Sequence, residues 1–244
     1  MNNAHLSIRG LDKWYGPVHA LRKLDLDIPK GQVIGLIGDN GAGKSTFIKI
    51  LSGVHKQTAG QIFFEGQEAQ ISKPRDAMNL GIETIYQYTA MVPEMSIARN
   101  LFIGREKRKW GLRGFGFLDE AAMAEEAMAA IADVGLHLRS PDAPVKDLSG
   151  GQRQGVAIAR AMHFRSRMLI LDEPTNHLSV KETNKVLEYV QQMRDLGVTV
   201  IFISHNLHHV HEVSDRIVAF ARGSKVADLL VGETSVPNMI DLIS

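Results

Sequence analysis

Gly38-Asp39-Asn40-Gly41-Ala42-Gly43-Lys44-Ser45-Thr46 packs three glycines, a lysine and two hydroxyls into nine residues. Glycines let successive backbone N–H groups turn inward around phosphate oxygens, a helix beginning there adds positive potential, and Lys44 supplies a point charge. Ser45 is spaced to offer its hydroxyl to Mg2+. A second stretch, Asp172-Glu173, closes the apolar run Met168 to Leu171, so two carboxylates stand at the end of a buried strand. In open α/β sheets that edge is where ligands bind. Beside a phosphate loop, Asp172 is expected to hold Mg2+ through water, and Glu173 to polarise or deprotonate an attacking water. A third stretch, Leu148-Ser149-Gly150-Gly151-Gln152, runs into the helical pattern Arg153 to Met162. It reads as a second glycine turn, with free N–H groups at a helix N-terminus.

The elements that must carry these groups follow from periodicity. The first 65 residues alternate apolar and polar positions (Leu6, Ile8; Leu24, Leu26, Ile28; Ile62, Phe64) and read as antiparallel strands around one continuous buried run, Val33 to Ile37. That run ends at the phosphate loop, which opens into Phe47-Ile48-Lys49-Ile50-Leu51 as a helix start. Helices are predicted over Asp119 to Val134, stopped by Gly135, and over Lys181 to Leu196, stopped by Gly197. Buried strands are predicted at Met168 to Leu171 and Val198 to Ile203, and a closing hairpin over Arg216 to Ala227. Strand and helix in alternation imply a parallel sheet with helices on its faces.

With the two glycine turns and the acidic pair in this order, the chain resembles the ATP-binding cassette (ABC) ATPases, whose signature sequence is LSGGQ. The resemblance covers essentially the whole chain. It implies an α/β P-loop fold with a mainly parallel core sheet, an N-terminal antiparallel β part and a helical subdomain. The expected division is a catalytic core over 1–86 and 148–244 and a helical subdomain over 87–147. ATP and Mg2+ are the implied ligands. The signature of one copy would close over the nucleotide held by another, giving an ATP-dependent homodimer. Tyr15 matches the aromatic that stacks on adenine, with Trp14 on the opposite strand face as packing. Gln87 matches the glutamine that contacts Mg2+ and the membrane partner, and His205 the histidine that contacts the γ-phosphate. One position departs from the family: where Ser-Ala-Leu-Asp is usual after Asp172-Glu173-Pro174-Thr175, this chain has Asn176-His177-Leu178-Ser179. The aspartate that links the two sites across the dimer is replaced by Ser179.

Ile85-Tyr86-Gln87 and the stretch Met95 to Glu106 are similar to importers of simple sugars, including single-cassette fructose-type systems. The resemblance thus implies an importer ATPase, working on a separate transmembrane permease that a periplasmic or extracellular solute-binding protein serves. The expected location is peripheral, on the cytoplasmic face of the inner membrane. An exporter ATPase, or a soluble ABC ATPase acting on ribosome or DNA, are the alternatives.

Composition restricts these readings. A net charge of +1, from 28 basic and 27 acidic side chains, gives no general reason to bind nucleic acid. The basic run Arg105, Lys107, Arg108, Lys109 and Arg113 reads as a solvated loop. Zero cysteines exclude disulfides and thiolate metal sites. His205, His208, His209 and His211 have metal-ligand spacing, but the nucleotide role accounts for the first and a solvated helix for the others. The longest apolar stretches are too short to cross a bilayer, and the N-terminal residues do not form a signal peptide. A chain of this size buries about 70% of its unfolded surface, enough for a large core.

Overall fold

The computed structural model describes residues 4–86, 91–109 and 116–243. Gln87 and Arg113 lie outside the described residues. In chain order the elements are β1 (Ala4–Tyr15), β2 (Val18–Pro29), β3 (Val33–Gly38), α1 (Lys44–Leu51), β4 (Ala59–Phe64), β5 (Gln67–Glu68), α2 (Pro74–Leu80), β6 (Ile82–Ile85), α3 (Ile97–Leu101), α4 (Glu120–Asp133) and α5 (Gly150–His163). They continue with β7 (Met168–Asp172), α6 (Val180–Asp195), β8 (Thr199–Ile203), α7 (Leu207–Val213), β9 (Arg216–Ala221), β10 (Ser224–Leu230) and α8 (Val236–Ile243). These divide into two compact units, one over 1–87, 166–174 and 190–244, the other over 88–165 and 175–189.

The first unit holds both sheets. One is antiparallel, in the order β2-β1-β4-β5. The other runs β10-β9-β3-β8-β7-β6, parallel from β9 to β6, with β10 antiparallel at its edge. The α/β class with a parallel core and an antiparallel β part is as expected. Val33 to Ile37 is the continuous buried strand expected; as β3 it pairs in parallel with β8 and β9 and not with the N-terminal strands. All six of its residues are buried, and only an interior strand of a sheet covered on both faces can satisfy that. β1, by contrast, buries Leu6, Ile8 and Leu11 while Ser7 and Arg9 between them stay accessible, the alternation of a one-sided sheet.

The second unit is helical. Asp119 caps α4 by accepting the N–H of Ala122 at 3.2 Å, and Gly135, at φ 70°, turns the chain out of it. α3 and α5 pack on α4. This unit takes in 148–165 and 175–189, stretches grouped by sequence with the catalytic core. The physical reason is packing around Gly155, where a Cβ would stand 2.2 Å from Leu136 Cδ1 and 3.5 Å from the Tyr189 hydroxyl. The fully buried Asn100 side chain receives the Val92 N–H at 2.7 Å and donates to the carbonyls of Val92, Met95 and Ser96, so this turn is internally satisfied. Among the described residues no helix is long and apolar enough to cross a membrane.

Beneath the phosphate loop, Phe47 of α1 and Phe220 of β9 are fully buried and meet edge to face, with centroids 5.6 Å apart. Truncating one of them leaves a cavity at the base of the loop. Phe47→Ala is expected to lower the unfolding free energy by about 3–5 kcal/mol in urea titrations. A loss below about 1 kcal/mol would show that the pair does not anchor α1.

Candidate functional site

The strand order sets the site. β3, β8 and β7 are neighbours, and each delivers a different group from its C-terminal end: the Lys44 loop, His205, and the Asp172-Glu173 pair. The Glu173 N–H donates to the Ile203 carbonyl at 2.9 Å, fixing the end of β7 to the end of β8. A cleft of about 460 Å3 within the first unit is lined by Asp39 to Thr46, Asp172, Glu173, Ile203 and His205, with Tyr15, Val18 and His19 at one side. Among the described residues, the sequence-expected groups Tyr15, Asp39, Asn40, Gly41, Ala42, Gly43, Lys44, Ser45, Thr46, Asp172, Glu173 and His205 therefore meet in one place. Gly38 ends β3 at the base of the loop.

Two glycines make the loop possible. At Gly38, φ is 151° and a Cβ would stand 2.4 Å from the Phe220 carbonyl oxygen. At Gly43, φ is 106° and a Cβ would stand 2.8 Å from Leu21 Cδ2 and 2.9 Å from the Ala20 oxygen. No L side chain fits either position. Lys44 opens α1 with its ammonium folded back onto the carbonyl oxygens of Gly38 and, at 3.2 Å, Asp39.

Burial shapes the charges. It lowers the Lys44 pKa, against the pull of Glu173, Asp172 and Asp39, and it raises the pKa of both Asp172 and Glu173. Glu173 is only 5% exposed and sits at φ 54°, a strained conformation for a residue with a side chain. One of its oxygens accepts the His205 N–H at 3.2 Å. The other lies 3.3 Å from His205 Nε2 and makes no hydrogen bond among the described residues. A buried carboxylate oxygen with spare acceptor capacity at a cleft is suited to take a proton from water.

Tyr15 lines the cleft, with the Lys13 ammonium 4.8 Å from its ring centroid and His55 meeting it edge to face. Trp14 packs, as expected, by stacking on His19 at 3.8 Å, 12° from parallel, while staying 43% exposed. His205 precedes α7, hence the four histidines do not share a helical face; among the described residues no cluster of metal-ligating side chains occurs. In the basic run, Lys107 pairs with Glu126, Lys109 lies 3.5 Å from Asp119, and Arg105 stacks over Phe164.

The signature turn Leu148 to Gln152 belongs to the second unit and departs from expectation. Ser149 caps α5 in a reciprocal box with Gln152, and Arg153 donates to the Leu148 carbonyl. The N–H groups of Ser149, Gly151 and Gln152 are not free: they donate, in that order, to Gln152 Oε1, to Glu182 Oε1 at 3.1 Å and to the Ser149 hydroxyl. Glu182 is the residue that sequence reasoning missed. Its signal was the Ser179-x-x-Glu182 spacing of a capping box, which the structure forms.

The chain matches the ABC transporter family over residues 21–176. It is 48% identical over 215 residues to the fructose import ATP-binding protein FrcA of Rhizobium meliloti, spanning 87% of this chain and 83% of that one. It is 41% identical over 239 residues to the xylose/arabinose import ATP-binding protein XylG of Sulfolobus acidocaldarius, spanning 98% and 93%. Among solved structures, a nucleotide-free ATP-binding cassette from an ABC transporter superposes with a TM-score of 0.84 at 25% identity, covering 98% of this chain and 95% of that one.

The raised pKa of Glu173 has a thermodynamic sign. A carboxyl that binds its proton more tightly folded than unfolded makes the ionised form destabilising above the folded pKa, and that penalty vanishes as the pH falls through it. Glu173→Gln is therefore expected to melt at a higher temperature than wild type at pH 8, with the difference shrinking toward pH 4. A difference that grows on acidification would contradict the burial of this charge.

Proposed function

The chain belongs to the ABC transporter family, and on that footing we propose that it binds and hydrolyses ATP to drive uptake of a monosaccharide through a separate transmembrane permease. The carrying observation is the single cleft in which the Lys44 loop, Asp172, Glu173 and His205 converge. The sugar class rests on the relatives, which are named as importers of fructose and of xylose or arabinose. Neither an exporter reading nor one directed at ribosome or DNA has an observation in its favour.

The chemistry follows from what each residue can do. The triphosphate lies along the N–H groups of Gly38 to Thr46, and Lys44 exchanges its two carbonyl contacts for phosphate oxygens. Tyr15 stacks on the adenine. Glu173, through the oxygen without a hydrogen bond, orients the attacking water and accepts its proton. His205 holds Glu173 through its N–H and presents its ring to the γ-phosphate. The Ser45 hydroxyl and the Asp172 carboxylate are hard oxygen donors in the same cleft and fit Mg2+, Asp172 through water. When bound, that ion neutralises charge on the phosphates. Gln87 completes this set as a contact to both the ion and the permease.

A chain with one phosphate loop and one signature turn works as a pair, so the turn of residues 148–152 closes over the nucleotide of a second copy. The solute-binding protein acts on the permease, and this chain sits beneath it on the cytoplasmic side of the membrane. The first unit is then the larger part of the catalytic core, and the second the part that meets the permease.

Lys44→Ala is expected to abolish ATP hydrolysis, measured as phosphate release; turnover equal to wild type would remove the phosphate loop from the site. Glu173→Gln keeps the size of the side chain but cannot accept a proton. It should retain ATP affinity, lose about 100- to 10,000-fold in turnover, and convert the chain to an ATP-stabilised dimer in sedimentation. Full turnover in this variant would overturn the assignment of the base.

A further inference from the structure

The signature turn is already occupied by an anion of its own chain. The Glu182 carboxylate, from the first turn of α6, accepts the Gly151 N–H at 3.1 Å through Oε1 and the Ser179 N–H at 3.0 Å and hydroxyl at 2.9 Å through Oε2, with the Ser149 hydroxyl on the same side. This approach needs Gly151, because a Cβ there would stand 2.8 Å from Glu182 Cγ. It also suits Ser179. An aspartate at that position would set a second negative charge against Glu182, whereas serine offers two donors. These hydrogen bonds, with Ser149 contributing most, hold the Glu182 pKa down to about 2, so the group stays ionised at any working pH.

On the reading of the Ser149 turn as the contact to a second copy's nucleotide, we propose that Glu182 is an intramolecular latch that occupies the phosphate-binding donors of the signature turn and must be expelled before the nucleotide-bridged dimer closes. The Gly151 N–H is an anion-binding donor of that helix end, and a carboxylate and a phosphate oxygen cannot share it. A cavity of about 490 Å3 beside the turn, lined by Glu182, Lys181, Lys185 and Glu188, gives the displaced side chain room; Lys185 there is already 3.2 Å from Glu188, so among the described residues Lys181 is the lining cation left to receive it. The latch therefore sets how much ATP the chain needs before two copies join. Ser179 marks the same device, a serine in place of the family's aspartate serving the contact within the chain.

The test uses the full chain carrying Glu173→Gln, with the mass in solution followed against Mg-ATP concentration. Adding Glu182→Ala or Glu182→Gln is expected to lower the ATP concentration at half-dimerisation; a latch closed about nine-tenths of the time gives about a tenfold shift. Ser179→Ala, which keeps Glu182 and removes one donor, should shift the midpoint in the same direction by less, and carries the test if packing suffers in the Glu182 variants. With Ser149→Arg added to hold each variant monomeric, ATP affinity should stay at its parent value. A midpoint unchanged or raised in the Glu182 and Ser179 variants would overturn the latch and leave Glu182 as a scaffold of the turn. If the Glu173→Gln parent itself stays monomeric at saturating Mg-ATP, the two-copy reading fails and the latch falls with it.

Discussion

Lys44, Asp172 and Glu173 are charged groups drawn partly out of water into one cleft, and the first unit is organised around making that tolerable. Each has its pKa pushed toward the neutral form by burial. Partial mutual compensation is what the strand order provides: β3, β8 and β7 lie side by side, so the lysine and the two carboxylates approach from opposite sides of the His205 strand. A fully buried parallel core holds these strand ends in place, with Leu36, Ile170 and Ile201 among its members. Rigid apolar strands below and under-solvated charges above describe a site prepared for a highly charged ligand.

The same logic explains why the loop is glycine-rich and why its lysine is folded inward. In Gly38 and Gly43 the backbone takes conformations and close approaches that exclude any Cβ. The N–H groups of the loop can then face the cleft. Lys44 meanwhile satisfies its ammonium on the carbonyl oxygens of the loop itself.

The second unit solves a different problem. A helix N-terminus leaves donors unsatisfied, and at α5 these are taken by Ser149, Gln152 and Glu182. An external anion reaching the Gly151 N–H competes with a partner already present. Residues 148–165 and 175–189 belong to this unit because Leu136, Gly155 and Tyr189 interlock, so the signature turn and Ser179 are parts of one packed body.

What the sequence by itself determines is whatever depends on local spacing. The phosphate loop, the acidic pair, the helices of α4, α5 and α6 and the closing hairpin are all legible, since glycine conformation, helical period and buried apolar runs act over a few residues. Trp14 is expected to pack, but that it packs by stacking on His19 is a tertiary contact that spacing does not carry. That Val33 to Ile37 is buried on both faces is legible in its continuous apolar run, but only the tertiary structure sets it between β8 and β9, whose pairing residues lie well over a hundred positions away. Only the tertiary structure, too, brings Glu182 to Gly151, across 31 positions of chain. Periodicity carries no information about which distant group will reach a helix end; packing of α6 beside α5 decides that, and a carboxylate delivered there outcompetes water for the donors.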